Sequence, residues 1–164
     1  MAILIIGGAG KTGLPLAHVL KSNGVPFLLA SRRGQSAASE GMNAATFDWL
    51  DPSTFDAPFT HPSLGSNKIK AIYLIGPVIE DATDCMTNFI QHAASKHGVK
   101  RFVMMAGSNV EIGGADVGKV WQYIVEKGYE WAMLQATWFA GTPINPGCTY
   151  GWLTMESREL LSRC

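Results

Sequence analysis

Cysteine is scarce in this chain of 164 residues: Cys85, Cys148 and Cys164 stand far apart and are odd in number. No C-x-x-C occurs, and no group of Cys and His has the spacing of metal ligands. The sequence therefore predicts reduced thiols, no metal site and a cytoplasmic protein. An excess of either charge is missing too, because 13 basic residues meet 13 acidic ones. Without a basic arm or an acidic tail, neither nucleic acid nor a membrane surface is an expected partner. Long apolar runs are absent. The opening "MAILIIGG" has no basic flank and breaks at Gly7, so neither a signal peptide nor a membrane span is predicted. No N-x-S/T sequon, repeat or low-complexity tract occurs, and nothing in the composition signals an oligomeric state. What remains, 47% hydrophobic and 16% charged, describes one folded domain with a substantial core.

Apolar runs alternate with helical patterns along the chain. Residues 2–6, "AILII", are unbroken apolar, as in a strand buried on both faces of a parallel sheet. From Gly13, Leu14, Leu16, Ala17 and Leu20 recur at helical spacing until Asn23-Gly24. Further strands are predicted at 25–31, 43–49, 70–76, 100–106 and 130–136, with helices at 82–97 and 116–128. Met86, Phe89, Ile90 and Ala93 should face inward on the first of these helices, and Val117, Val120, Trp121 and Ile124 on the second. Residues 34–43 and 51–68 read as loops, the latter with one helical turn. This alternation predicts an α/β fold: a doubly wound parallel sheet of Rossmann type with about six strands.

The glycines between the first strand and helix choose between two kinds of nucleotide site. A Walker loop needs G-x-x-x-x-G-K-[ST]; Gly10-Lys11-Thr12 supplies its end, but Ile5 stands where its first glycine belongs. The dinucleotide pattern fits twice, as Gly8-x-Gly10-x-x-Gly13 and as Gly7-x-x-Gly10-x-x-Gly13. In that pattern glycines permit a tight turn, backbone approach to a pyrophosphate and close packing of helix on strand. Lys11 and Thr12 add a charge and a hydroxyl. About 20 residues further on, an NAD site presents a carboxylate to the ribose. Here Ser31-Arg32-Arg33 stand instead. Two guanidinium groups and a hydroxyl suit a 2′-phosphate, so the expected cofactor is NADP(H); two solvated surface arginines are the plainer reading.

Tyr123 and Lys127 form Y-x-x-x-K on the 116–128 helix, downstream of Ser108. Such a set serves carbonyl reduction, with Tyr as proton donor, Lys lowering its pKa and Ser orienting the carbonyl. A helix-edge Tyr beside a solvated Lys gives the same pattern without chemistry. His18, His92 and His97 fall on helices as edge residues and His61 in a loop. Trp121, Trp131 and Trp138 are expected to pack.

With these residues placed, the chain resembles the NmrA-like, atypical short-chain reductases, and more narrowly the fungal festuclavine/agroclavine dehydrogenases of ergot-alkaloid synthesis. The resemblance rests on "GGAGKTG" (7–13), "VPFLLASR" (25–32), "FDWLD" (47–51), "YLIGP" (73–77), "GVKRFVMMAGS" (98–108), "EIGG" (111–114) and "TWF" (137–139). It implies an NADPH-dependent oxidoreductase that reduces a cyclic iminium, or a related aldehyde, in clavine biosynthesis, with a small alkaloid-type substrate. It further implies that Gly7, Gly10, Gly13, Ser31 and Arg32 hold the dinucleotide, and that Asp48 and Trp49 lie near the adenine. Gly76 and Pro77 would flank the nicotinamide, with Ser108 at the cofactor's edge. The likeness covers residues 1–140, an NADP-binding domain. It stops after Phe139, so residues 141–164 read as a divergent tail where family members continue into most of their substrate pocket. A catalytically silent NADP-binding sensor of NmrA type, or a truncated reductase, is the alternative this implies.

Overall fold

A computed structural model describes residues 1–80 and 82–137; the predicted tail, Trp138 and the two later cysteines lie outside them. Six strands form one parallel sheet: β1 (Ala2–Ile6), β2 (Phe27–Ser31), β3 (Ala44–Thr46), β4 (Ile69–Ile75), β5 (Arg101–Gly107) and β6 (Glu130–Ala136). Their order is β3-β2-β1-β4-β5-β6. Every neighbouring pair is parallel, and the order reverses between β1 and β4, the doubly wound arrangement in which ligands bind beyond the strands' carboxyl ends.

The first strand is central because nothing in it is polar. Ala2, Leu4 and Ile5 have no exposed surface, and β1 pairs with β2 from Ile3↔Phe27 to Ile6↔Ala30 and with β4 from Ala2↔Ile69 to Ile5↔Tyr73. Three helices cover the two faces: α1 (Gly13–Ser22), α2 (Ala82–His97) and α3 (Val117–Glu126). On one face Met86, Phe89, Ile90 and Ala93 of α2, with Val120 and Ile124 of α3, are buried with Leu4, Leu28, Ile72, Phe102 and Met104. Each large side chain removed from water in this way contributes about 1.5–3 kcal/mol before entropy is counted. On the other face Ala17 of α1 is buried with Ile5, Leu29 and Tyr73.

Helix α2 spans the predicted residues, and the four side chains expected to face inward are buried. Three differences are informative. Strand β3 stops at Thr46 because Asp48 folds back to bridge Asp51, while Phe47 and Trp49 pack with Phe89. The 34–43 loop contains a 3-10 turn over Gly34–Ala37, and the 51–68 loop contains two, at Pro52–Thr54 and Pro62–Leu64. Both of the latter start at a proline whose missing N–H costs nothing there, preceded by Asp51 or His61 accepting from a serine N–H. Trp121 of α3 is half-buried against Trp131 of β6 rather than inward, with ring centroids 5.3 Å apart. None of the described helices is long and apolar enough to cross a membrane.

Candidate functional site

The turn after β1 is built around the glycines. Gly7 has a φ of +74°, which disfavours any side chain, and its carbonyl accepts the Gly10 N–H at 2.8 Å. Gly13 opens α1 so close to the turn that a Cβ there would stand 2.5 Å from the Gly7 carbonyl oxygen and 2.8 Å from the Gly8 Cα. Helix and strand therefore meet backbone to backbone, and the helix N-terminus is aimed along the carboxyl edge of the sheet.

That terminus carries unspent donors. Thr12 occupies the N-cap position of α1 but makes no side-chain capping bond. Among the described residues no backbone acceptor takes the N–H of Lys11 or Thr12. The first turn of α1 holds no acidic residue, so nothing there opposes an anion drawn by the positive end of the helix dipole.

These groups border an open cavity of about 600 Å³. Gly7, Ala9, Gly10, Lys11 and Thr12 form one wall, Ser31 the end of β2, and Ile75, Met105, Ala106 and Gly107 the ends of β4 and β5; Ala136 and Thr137 close it. The donor set and the side-chain-free turn fit the pyrophosphate of a dinucleotide. Beside Ser31, the Arg33 N–H donates to Ser31 Oγ at 3.3 Å and both Arg32 and Arg33 are exposed. Among the described residues neither arginine is in an ion pair.

Other residues singled out from the sequence lie around or away from this cavity. Gly76 and Pro77 follow Ile75 at the end of β4; a Cβ on Gly76 would lie 3.0 Å from Met86 Sδ. Asp48 is occupied locally, its Oδ1 accepting the Leu50 N–H at 3.0 Å and its own N–H donating to Thr54 Oγ1 at 2.9 Å. Trp49 stands edge-on to Phe47 and Phe89, at 5.0 and 5.6 Å between centroids. Gly8 backs against Leu29, where a Cβ would come within 2.7 Å of Cδ2. Ser108 is exposed just beyond β5 and its N–H continues the ladder to the Ala136 carbonyl at 2.9 Å.

Tyr123 is turned into the protein. It packs against the α2–α3 core, and its hydroxyl is buried without a hydrogen-bond partner among the described residues. Burial, with Tyr129 nearby, pushes the phenol pKa up. Lys127 is exposed, with Nζ 5.5 Å from the Tyr123 ring centroid. Neither residue, nor Ser108, lines the cavity.

One constellation escaped the sequence reading. Asp56 accepts hydrogen bonds from His92 Nε2 at 2.8 Å, His97 Nε2 at 2.7 Å and Lys96 Nζ at 2.5 Å. Lys96, then the two histidines, hold its carboxyl well below the usual carboxylate range. An aspartate in a loop and two histidines five apart have no recognisable local spacing; only the fold assembles them.

No family model matches the chain. Curated proteins do. Festuclavine synthase I of Penicillium roqueforti is 38% identical over 85% of this chain and 48% of its own length. Agroclavine dehydrogenase of Claviceps fusiformis is 35% identical over 85% and 47%, and a festuclavine dehydrogenase of Aspergillus fumigatus is 35% identical over 85% and 48%. This chain thus spans about half the length of the curated relatives it matches. Among solved structures, the triphenylmethane reductase of Citrobacter sp. complexed with NADP(H) superposes with a TM-score of 0.61 at 16% identity, covering 82% of this chain and 49% of that one. Vestitone reductase from alfalfa gives 0.57 at 20% identity, over 82% and 56%. These neighbours share the doubly wound parallel fold.

Proposed function

We propose that this chain, a sequence relative of the festuclavine and agroclavine dehydrogenases, is an oxidoreductase of clavine alkaloid biosynthesis that uses NADPH to reduce a cyclic iminium or a related aldehyde. The observation that carries the reading is the glycine turn, with the unclaimed Lys11 and Thr12 N–H groups and the side-chain-free approach at Gly13. These would hold the pyrophosphate, with the Lys11 ammonium adding charge. Ser31, Arg32 and Arg33 would receive the 2′-phosphate, since guanidinium forks match phosphate oxygens and no carboxylate pairs with either arginine among the described residues. Gly76, Pro77 and the ends of β4 and β5 would border the nicotinamide, and Asp48 and Trp49 the adenosine side.

When bound, the nicotinamide supplies a hydride. Reduction of a carbonyl leaves an oxyanion that needs a donor, whereas reduction of an iminium discharges a cation and leaves a neutral amine. The chain's own contribution is then orientation rather than proton transfer. The inward Tyr123 hydroxyl, absent from the cavity wall, supports that division. So does the wall itself, where Ile75, Met105, Ala106 and Ala136 present apolar surface to an aromatic substrate.

Mixing the protein with NADPH and the iminium and following loss of the reduced-nicotinamide absorbance tests the reading. Steady loss dependent on both is expected. NADPH binding without turnover would replace it with a silent NADP-binding protein.

A further inference from the structure

Far from the nucleotide cavity, α2 ends where β5 is about to begin, at the edge from which the parallel strands start. Here the 3-10 segment after β3 lies over the helix, and Asp56 reaches into it. The two imidazoles converge on one carboxylate oxygen, Oδ1, while Lys96 holds the other, Oδ2. One ligand atom from each of Asp56, His92 and His97 lies within 4.8 Å of the others.

We propose that Asp56, His92 and His97 form a binding site for a divalent transition ion of the zinc type, pinning the 51–64 segment to the end of α2. Two imidazole nitrogens with one carboxylate oxygen are a donor set for zinc, cobalt or nickel and not for calcium or magnesium, which require mostly oxygen. The rings are already oriented. Phe59 stacks on His97 at 3.9 Å between centroids and 1° between planes, and Phe55 stands edge-on to His92 at 5.8 Å. Lys96 turns the carboxylate so that Oδ1 is the oxygen presented, as an outer partner orients a ligand.

Without metal, both Nε2–H groups donate to Oδ1. On binding, each imidazole offers the Nε2 lone pair as its Nδ1–H tautomer, the hydrogen displaced from Nε2 going to Nδ1 or to solvent. Zinc–ligand distances of about 2.0–2.1 Å in a tetrahedron place ligand atoms about 3.3 Å apart. The present contacts at 2.7 and 2.8 Å must therefore open by about 0.5 Å, within side-chain adjustment. Three protein ligands leave a fourth position for water.

Chelator-washed protein is titrated with Zn²⁺ by calorimetry and with Co²⁺ by visible absorption. One ion per chain is expected, with the intense visible bands of four-coordinate cobalt and no near-ultraviolet thiolate band. The His92→Gln/His97→Gln variant keeps an N–H donor for Asp56 at each position but loses both imidazoles. It is expected to bind at least tenfold more weakly while retaining its circular dichroism and its affinity for NADPH. Absence of binding by the native protein overturns the proposal. So does equal binding by the variant, which puts the metal elsewhere, or a thiolate band, which puts it on cysteine. Should the variant not fold, His92→Gln alone, which leaves Asp56 its His97 and Lys96 partners, is titrated in its place, with the same loss expected and equal binding again contradicting the proposal.

Discussion

At the scale of single residues, the cofactor reading turns on Arg32 and Arg33. Both are exposed next to Ser31, and neither is in an ion pair among the described residues. Loss of two charge-assisted contacts, each worth about 1 kcal/mol at so exposed a position, should weaken NADPH binding by the Arg32→Ala/Arg33→Ala variant by tenfold or more. NADH binding should change little. Parallel calorimetric titrations check this, and equal loss for both coenzymes would show that the arginines do not meet the 2′-phosphate. Tyr123 gives a prediction of opposite sense. Its hydroxyl is buried without a partner among the described residues, so Tyr123→Phe removes a desolvated group and leaves the ring. Thermal stability is expected to hold or rise, and turnover to persist; collapse of turnover with the fold intact would return the phenol to the chemistry. The tight turn at the glycines was legible because their spacing is local. Tyr123 misled for the same reason: Y-x-x-x-K states which residues share a helical face but not whether that face looks at the cavity or the core.

At the scale of elements, periodicity carried α2 whole, because its apolar stripe is long and ends at Gly98. Strand β3 was overextended by Phe47 and Trp49, which have strand-forming side chains but are drawn into an aromatic group around Phe89. Tertiary packing outweighed local propensity there. The Asp56–His92–His97 cluster was illegible because its members lie on two elements brought together by the crossover to β4. Helix α1 offers a clean test of the division between structure and binding. A Thr→Ala change at an N-cap ordinarily costs about 1 kcal/mol, but Thr12 makes no capping bond. Thr12→Ala should therefore leave the unfolding midpoint nearly unchanged while weakening dinucleotide binding several-fold. A large drop in midpoint with unchanged binding would mean that the hydroxyl serves the helix.

At the scale of the whole molecule, the strand order places the β1–α1 turn at the point where the sheet's winding reverses, and glycines fill that turn because backbone must approach backbone there. The order follows from the alternation of strand and helix, which is why the fold class could be read without a structure. This chain spans about half the length of its curated relatives. This turn is proposed to hold a pyridine dinucleotide. Isothermal titration of the native chain with NADPH and, separately, NADH tests it most directly. One NADPH per chain, bound more tightly than NADH, is the predicted result; no heat and no competition by either coenzyme would contradict it.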